Sequence, residues 1–112
     1  MADNKAGGAI LDQLYAVIES RKGADPESSY TASLFAHGTD KIAGKLSEET
    51  AETIVEAARG DRARLVNESA DLLYHLLVLW AHQGIDPKDV WAELSSRQGI
   101  SGIEEKKSRK TD

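Results

Sequence analysis

The sequence predicts an all-α fold, an antiparallel bundle of about four to five helices, and three observations carry that expectation. Apolar residues recur at spacings of three, four and seven along most of the chain. Glycine, proline and aspartate fall between those stretches, where helices start and stop. No segment shows the strict alternation of a half-buried strand, and there is no internal repeat. Helices joined by short loops pack as antiparallel neighbours.

The polar residues 1–8 are expected to be disordered and hold no apolar stretch of a signal peptide. Residues 9–22 form a first helix with Ile10, Leu11, Leu14, Val17 and Ile18 on one face, and Gly23 and Pro26 end it. A polar loop covers 25–29. Residues 30–36 make a short helix or turn that stops near Gly38. Residues 39–59 read as a long helix, weakened early by Gly44, with Ile42, Leu46, Thr53, Ile54 and Ala57 on its apolar side. Gly60 is a stop and Asp61 a cap. Residues 61–83 are the strongest helical segment. Its stripe holds Leu65, Leu72, Leu73, Leu76, Leu79 and Trp80, and Gly84 closes it. Asp86, Pro87 and Asp89 announce a last helix over 87–97, which buries Val90, Trp91 and Leu94. The domain is expected to span 9–105, with 106–112 a loose charged tail.

A chain of 112 residues is enough for one domain and buries a modest core, so a homodimer interface is a natural extra source of burial. The 19 acids outweigh 14 bases, for a formal charge of −5, which argues against binding nucleic acid polymers or an anionic membrane surface. The longest apolar run, 76–81, is far too short to span a bilayer, and a cytoplasmic protein is the expectation. Cysteine is absent, which removes disulfides, zinc–thiolate sites and a cysteine nucleophile. An acidic protein acting on a polyanion would need bound cations as mediators.

The acids have a pattern. At about 100° per residue, Lys45, Glu48, Glu49, Glu52 and Glu56 fall along the flank of the 39–59 helix, and Glu68, Asp71, His75 and His82 along the flank of the next. Glu49 and Glu52 are three apart, one turn up the same face, and Glu68 and Asp71 repeat the spacing. The tight Gly60-Asp61 connection lets the two acidic flanks face each other. Converging carboxylates repel unless a cation sits among them. Hard oxygen donors without cysteine suit Mg²⁺, or Mn²⁺, better than Zn²⁺. A solvated Glu-rich face is the plain alternative, and the pattern alone leaves the two balanced.

The run Lys45-Leu-Ser-Glu48-Glu49-Thr-Ala-Glu52, followed by Glu68-Ser-Ala-Asp71, resembles the E-E-x-x-E … E-x-x-D signature of the all-α nucleotide pyrophosphohydrolases, the MazG and dimeric dUTPase group. Ser29-Tyr30-Thr31, the stretch from Glu68 through Leu-Leu-Tyr to His75, Asp89-Val90, Arg97 and Ser101-Gly-Ile-Glu-Glu-Lys106 narrow the likeness to the phosphoribosyl-ATP pyrophosphohydrolase family of histidine biosynthesis, over about residues 9 to 109. The resemblance implies a MazG-like, dimerising fold and hydrolysis of 1-(5-phospho-β-D-ribosyl)-ATP to the AMP derivative and diphosphate. It also implies Mg²⁺ held by Glu49, Glu52, Glu68 and Asp71, with Glu48 a further ligand or the base for the attacking water. Without a fused cyclohydrolase, the monofunctional form is expected. Rival readings are a house-cleaning hydrolase of noncanonical nucleoside triphosphates and a non-catalytic helical dimerisation module.

Other residues carry two readings each. Lys45, and more weakly Lys41, contact a substrate phosphate or pair with Glu48 and Glu49. Tyr30 and Thr31 shape the nucleotide pocket, or are a packed ring and a helix cap. His75 supports the metal ligands or sits satisfied at the core edge. His37 and His82 read as surface residues, and Trp80 and Trp91 as core or interface anchors. Arg97, Lys106 and Arg109 bind the ribosyl 5′-phosphate, or belong to a solvated charged end.

Overall fold

A computed structural model describes residues 7–99. These form five helices: α1 (Ala9–Ser20), α2 (Tyr30–His37), α3 (Thr39–Arg59), α4 (Arg62–Gln83) and α5 (Pro87–Arg97). Among the described residues there is no strand. The predicted all-α class and the order of the helices hold. The first helix stops two residues earlier than its periodicity suggests, and the short fourth-decade segment is a helix rather than a turn. Lys106 and Arg109 lie outside the described residues.

Local chemistry sets the helix ends. The Ser29 hydroxyl accepts from Ala32 N at 3.1 Å and starts α2. Asp61 accepts from Arg64 N at 3.1 Å and starts α4. Asp86 accepts from Lys88 N at 2.9 Å, ahead of Pro87, and starts α5. Gly60, at φ 75°, ends α3 in a left-handed conformation that a Cβ would strain. Its turn folds α4 back along α3, and this antiparallel hairpin is by far the most extensive helix contact.

The apolar core occupies one end of the hairpin. Ile18 of α1, Leu34 of α2, Ile42 of α3 and Leu77, Val78 and Ala81 of α4 are its buried members. Leu11, Leu14, Tyr15, Phe35, Leu79 and Trp80 pack around them. Each fully buried branched side chain contributes about 1.5–3 kcal/mol. Trp91 brings α5 in, meeting Trp80 edge-on at 5.8 Å and donating from Nε1 to Asp12 at 3.0 Å. His82 is half-buried and stacks on Phe35 at 6.1 Å, so it is not the surface residue its polarity suggested.

The apolar stripes need correction. Ile10, Val17, Ile54 and Leu73, expected to face the core, are exposed, and so are Ala57 and Leu94. Their places against the neighbouring helix are taken by Glu49 and Glu56 of α3 and by Glu68 and His75 of α4, all buried. Glu49, Glu56 and Glu68 therefore lie in the α3–α4 seam itself, while Glu48 and Glu52 stay exposed along its flank. The heptad row Ile42, Glu49, Glu56 passes from core to site to hairpin tip.

Candidate active site

Halfway along the seam, the carboxylates of Glu49, Glu68 and Asp71 converge, each offering an oxygen within 4.8 Å of the others. Glu49 is 9% and Glu68 8% exposed. One oxygen of each, Oε1, is shut off from solvent with no hydrogen-bond partner. A buried acceptor left unsatisfied is costly, and several negative ones at close range more so. Glu52, on the α3 turn after Glu49, reaches the same group. Hydrogen bonding to Glu68, then the Glu68 charge, raises its pKa above the ordinary glutamate value. Burial raises that of Glu68, with the Glu49 and Asp71 charges adding to it and Glu52 opposing.

These observations fit a bound cation. Orphaned buried oxygens, all from carboxylates and with no sulfur or nitrogen donor among them, form a hard donor set. Glu49, Glu68 and Asp71 are the residues whose oxygens converge to supply it, and Glu52, exposed, adjoins them through Glu68.

The other candidates divide. Glu48 stays outside the cluster, with its side chain 61% exposed and ion-paired to Lys45 at 3.3 Å. Lys45 is thereby held at the lip of the site, and the Glu48 hydrogen bond and charge raise its pKa. Lys41 is exposed on α3, nearer the start of that helix. Tyr30 hydrogen-bonds His75 Nε2 at 3.0 Å, and His75 Nδ1 lies 2.9 Å from the Asp71 carbonyl oxygen. Thr31, buried, bonds the Tyr74 hydroxyl. Arg97 lies on α5, which has no broad contact with α3, and its Nε donates to Glu93 at 3.0 Å.

The role of Tyr74 and the burial of Glu56 escaped the sequence reading. Tyr74 ties Thr31 and Tyr30 to α4, and its position directly before His75 was the available signal. Glu56 is 5% exposed at the hairpin tip, with Arg64 Nε on its Oε2 at 3.2 Å and Arg59 at 3.7 Å. Its seven-residue spacing from Glu49 was the clue. A surface depression of about 570 Å³ lies elsewhere, beside Asp12, Tyr15 and Asp86.

A helical fold in which Glu49 of the E-E-x-x-E run meets Glu68 and Asp71 of the E-x-x-D run across an antiparallel helix pair has the architecture of the all-α nucleotide pyrophosphohydrolases. Residues 11–98 match the sequence profile of the family described as phosphoribosyl-ATP pyrophosphohydrolase. The chain is similar to the phosphoribosyl-ATP pyrophosphatase of Azospirillum brasilense, at 59% identity over 99% of this chain and 100% of that one. It is 62% identical to the enzyme of that name from Paramagnetospirillum magneticum, over 89% of this chain and 92% of that one. Against that of Cereibacter sphaeroides it is 54% identical, over 90% and 98%. The chain belongs to the phosphoribosyl-ATP pyrophosphohydrolase family.

Proposed function

We propose that this chain hydrolyses 1-(5-phospho-β-D-ribosyl)-ATP to 1-(5-phospho-β-D-ribosyl)-AMP and diphosphate, the second step of histidine biosynthesis, with Mg²⁺ as cofactor and Mn²⁺ as a substitute. Family membership over nearly the whole chain supports the substrate. The observation that carries the metal is the pair of buried, partnerless oxygens on Glu49 and Glu68 beside Asp71.

In this reading Glu49, Glu52, Glu68 and Asp71 hold the cation. When bound, it supplies positive charge against the phosphate oxygens and the departing diphosphate. Water adds to the α-phosphorus and the bond to the bridging oxygen of the β-phosphate breaks. Glu48, at the lip, accepts the water's proton. Lys45 offers a phosphate contact beside it, with Lys41 further out. Tyr30, Thr31 and His75 shape the nucleotide end of the site. Arg97, Lys106 and Arg109 remain candidates for the ribosyl 5′-phosphate.

The test is diphosphate release from phosphoribosyl-ATP. Release should require Mg²⁺, stop with EDTA, and collapse in Glu49→Gln and Asp71→Asn while circular dichroism still reports the helical fold. Unchanged release in both variants would remove the ligand roles. Rates on dUTP or dCTP matching those on phosphoribosyl-ATP would favour a house-cleaning hydrolase instead.

The working form in this reading is a cytoplasmic homodimer. Ile54, Val55, Val66 and Leu73 are 63, 48, 70 and 44% exposed on the hairpin, apolar area that a partner would cover. Among the described residues no helix is long and apolar enough to cross a membrane. Light scattering should give twice the chain mass, and Val66→Glu should halve it. A wild-type monomer at micromolar concentration would refute the dimer.

A further inference from the structure

The seam has two unlike ends. At the α2 end stands Tyr30, whose orientation is fixed by a chain of bonds. The Asp71 carbonyl can only accept, so the proton of the neutral His75 ring sits on Nδ1. Nε2 then carries the lone pair, and the Tyr30 hydroxyl donates to it. His75 itself is buried and cannot turn away. The Tyr30 ring lies on Tyr74, with centroids 6.3 Å apart and planes 24° from parallel, and Tyr74 is held by Thr31. Despite these bonds Tyr30 is 51% exposed. Its bond to His75, one turn after Asp71 on α4, puts the ring beside the acid cluster. An aromatic ring held rigidly and left half open at the mouth of a charged site is a stacking platform.

At the hairpin tip stands Arg64. Its Nε is engaged by the buried Glu56, and the side chain is 64% exposed. The two terminal amino groups make no hydrogen bond among the described residues. Glu68 follows one turn later on α4 and is close enough to act on the guanidinium. A guanidinium anchored through Nε and open at its fork is set to receive a phosphate group. The acid cluster lies between these two ends. From Lys45 to Glu56 α3 advances 11 residues, about 16 Å.

We infer that the nucleotide lies along the α3–α4 seam in one direction, its purine ring on the open side of Tyr30 and its terminal diphosphate toward Arg64. This rests on the function proposed above and adds a polarity and two recognition residues to it. Tyr30 distinguishes a nucleotide from bare diphosphate. Arg64 does not, because both ligands carry the group it binds.

Steady-state hydrolysis of phosphoribosyl-ATP, run alongside inhibition by inorganic diphosphate with Mg²⁺ present, separates the two ends. Tyr30→Leu should raise KM about tenfold, as loss of a stacked base does, with the diphosphate inhibition constant within about twofold of wild type. Tyr30→Phe, which keeps the ring and loses only the bond to His75, should restore most of the KM. Arg64→Gln should weaken diphosphate inhibition about fivefold or more, as loss of a charged hydrogen bond does. The polarity is overturned if Tyr30→Leu weakens diphosphate inhibition as much as it raises KM, or if Arg64→Gln leaves that inhibition unchanged. A wild-type chain that releases no diphosphate sinks the functional reading, and the polarity with it.

Discussion

Replacing Glu49 by Gln should make the metal-free protein more stable while destroying its response to Mg²⁺. Glu49 is buried, its Oε1 has no hydrogen-bond partner, and the ligand atoms of Glu49, Glu68 and Asp71 lie within 4.8 Å of one another. Two like unit charges at that separation repel by about 3.5 kcal/mol at an effective dielectric of 20, and by about 0.9 kcal/mol in bulk water. The seam is partly screened, so relief of the Glu49–Asp71 repulsion is on the order of 1–3 kcal/mol. For a domain of this size that raises Tm by about 4–8 °C per kcal/mol. The assay is thermal unfolding at fixed protein concentration, with EDTA and then with Mg²⁺. Wild type should start lower and rise with Mg²⁺, gaining about 1.4 kcal/mol at ten times Kd. The variant should start higher and stay there. Glu48→Gln is the control: its exposed, Lys45-paired carboxylate lies outside the cluster, so the EDTA midpoint should hardly move. A Glu49→Gln protein less stable than wild type in EDTA, or one that still gains stability from Mg²⁺, would refute the reasoning.

Three further expectations follow from individual groups. Glu52 and Glu68 have raised pKa values, so protons compete with the cation at a pH above the ordinary glutamate range. In the metal-free protein these two groups stabilise the fold below their unfolded value and lose that contribution as pH rises through the raised one. Mg²⁺ affinity should therefore begin to fall, as pH drops in calorimetric titrations, before the ordinary glutamate value of 4.5 is reached, and a fall confined to that value and below would contradict the shifts. Burial, the Glu19 hydrogen bond and the Glu19 and Asp86 charges push Tyr15 up to about 12. Its contribution to stability is complete below the unfolded value near 10 and is lost as pH climbs through about 12. Absorbance of the phenolate should show a step near pH 12 that disappears in Tyr15→Phe. Ser29→Ala removes the acceptor for Ala32 N and should cost about 1 kcal/mol, read as a lower Tm with the acid cluster intact.

The fold was legible because its punctuation is local. Ser29, Asp61, Asp86-Pro87, Gly60 and Gly84 do their work through bonds a few residues away, which a sequence displays directly. The inward face was less legible, because hydrophobicity assigns faces only where burial means apolar. Here Glu49, Glu56, Glu68 and His75 occupy inward positions while Ile54, Val66 and Leu73 point out. A wheel that puts apolar residues inside rotates α3 by part of a turn, and so moves the acids to a flank. The convergence of Glu49 with Glu68 and Asp71 was readable from spacing and the short hairpin turn. So was the lesser place of Glu48, which lies further round α3 than Glu49 and stays exposed. The Glu56–Arg64 and Thr31–Tyr74 contacts join residues whose partners are fixed only by tertiary packing.

That inversion of the usual pattern has a thermodynamic consequence. A seam built from Ile42 against Leu77 and Val78 throughout would be more stable than the one present, since buried carboxylates lose hydration and repel. The apolar contacts are instead concentrated at the α1–α2 end, where six buried residues form the core. The other half of the hairpin holds the charges and the exposed apolar residues. The helical scaffold therefore anchors one end firmly and leaves the other dependent on what binds there. Cation binding in the middle of the seam and burial of Ile54, Val66 and Leu73 both act on that weaker half. If both occur, each should strengthen the other, because each stabilises the same α3–α4 arrangement. Mg²⁺ should then lower the dissociation constant of the dimer, and dimerisation should tighten Mg²⁺ by the same factor. Sedimentation equilibrium with and without Mg²⁺, over a series of protein concentrations, measures that factor. A value of one would mean that site and interface are built on independent parts of the hairpin.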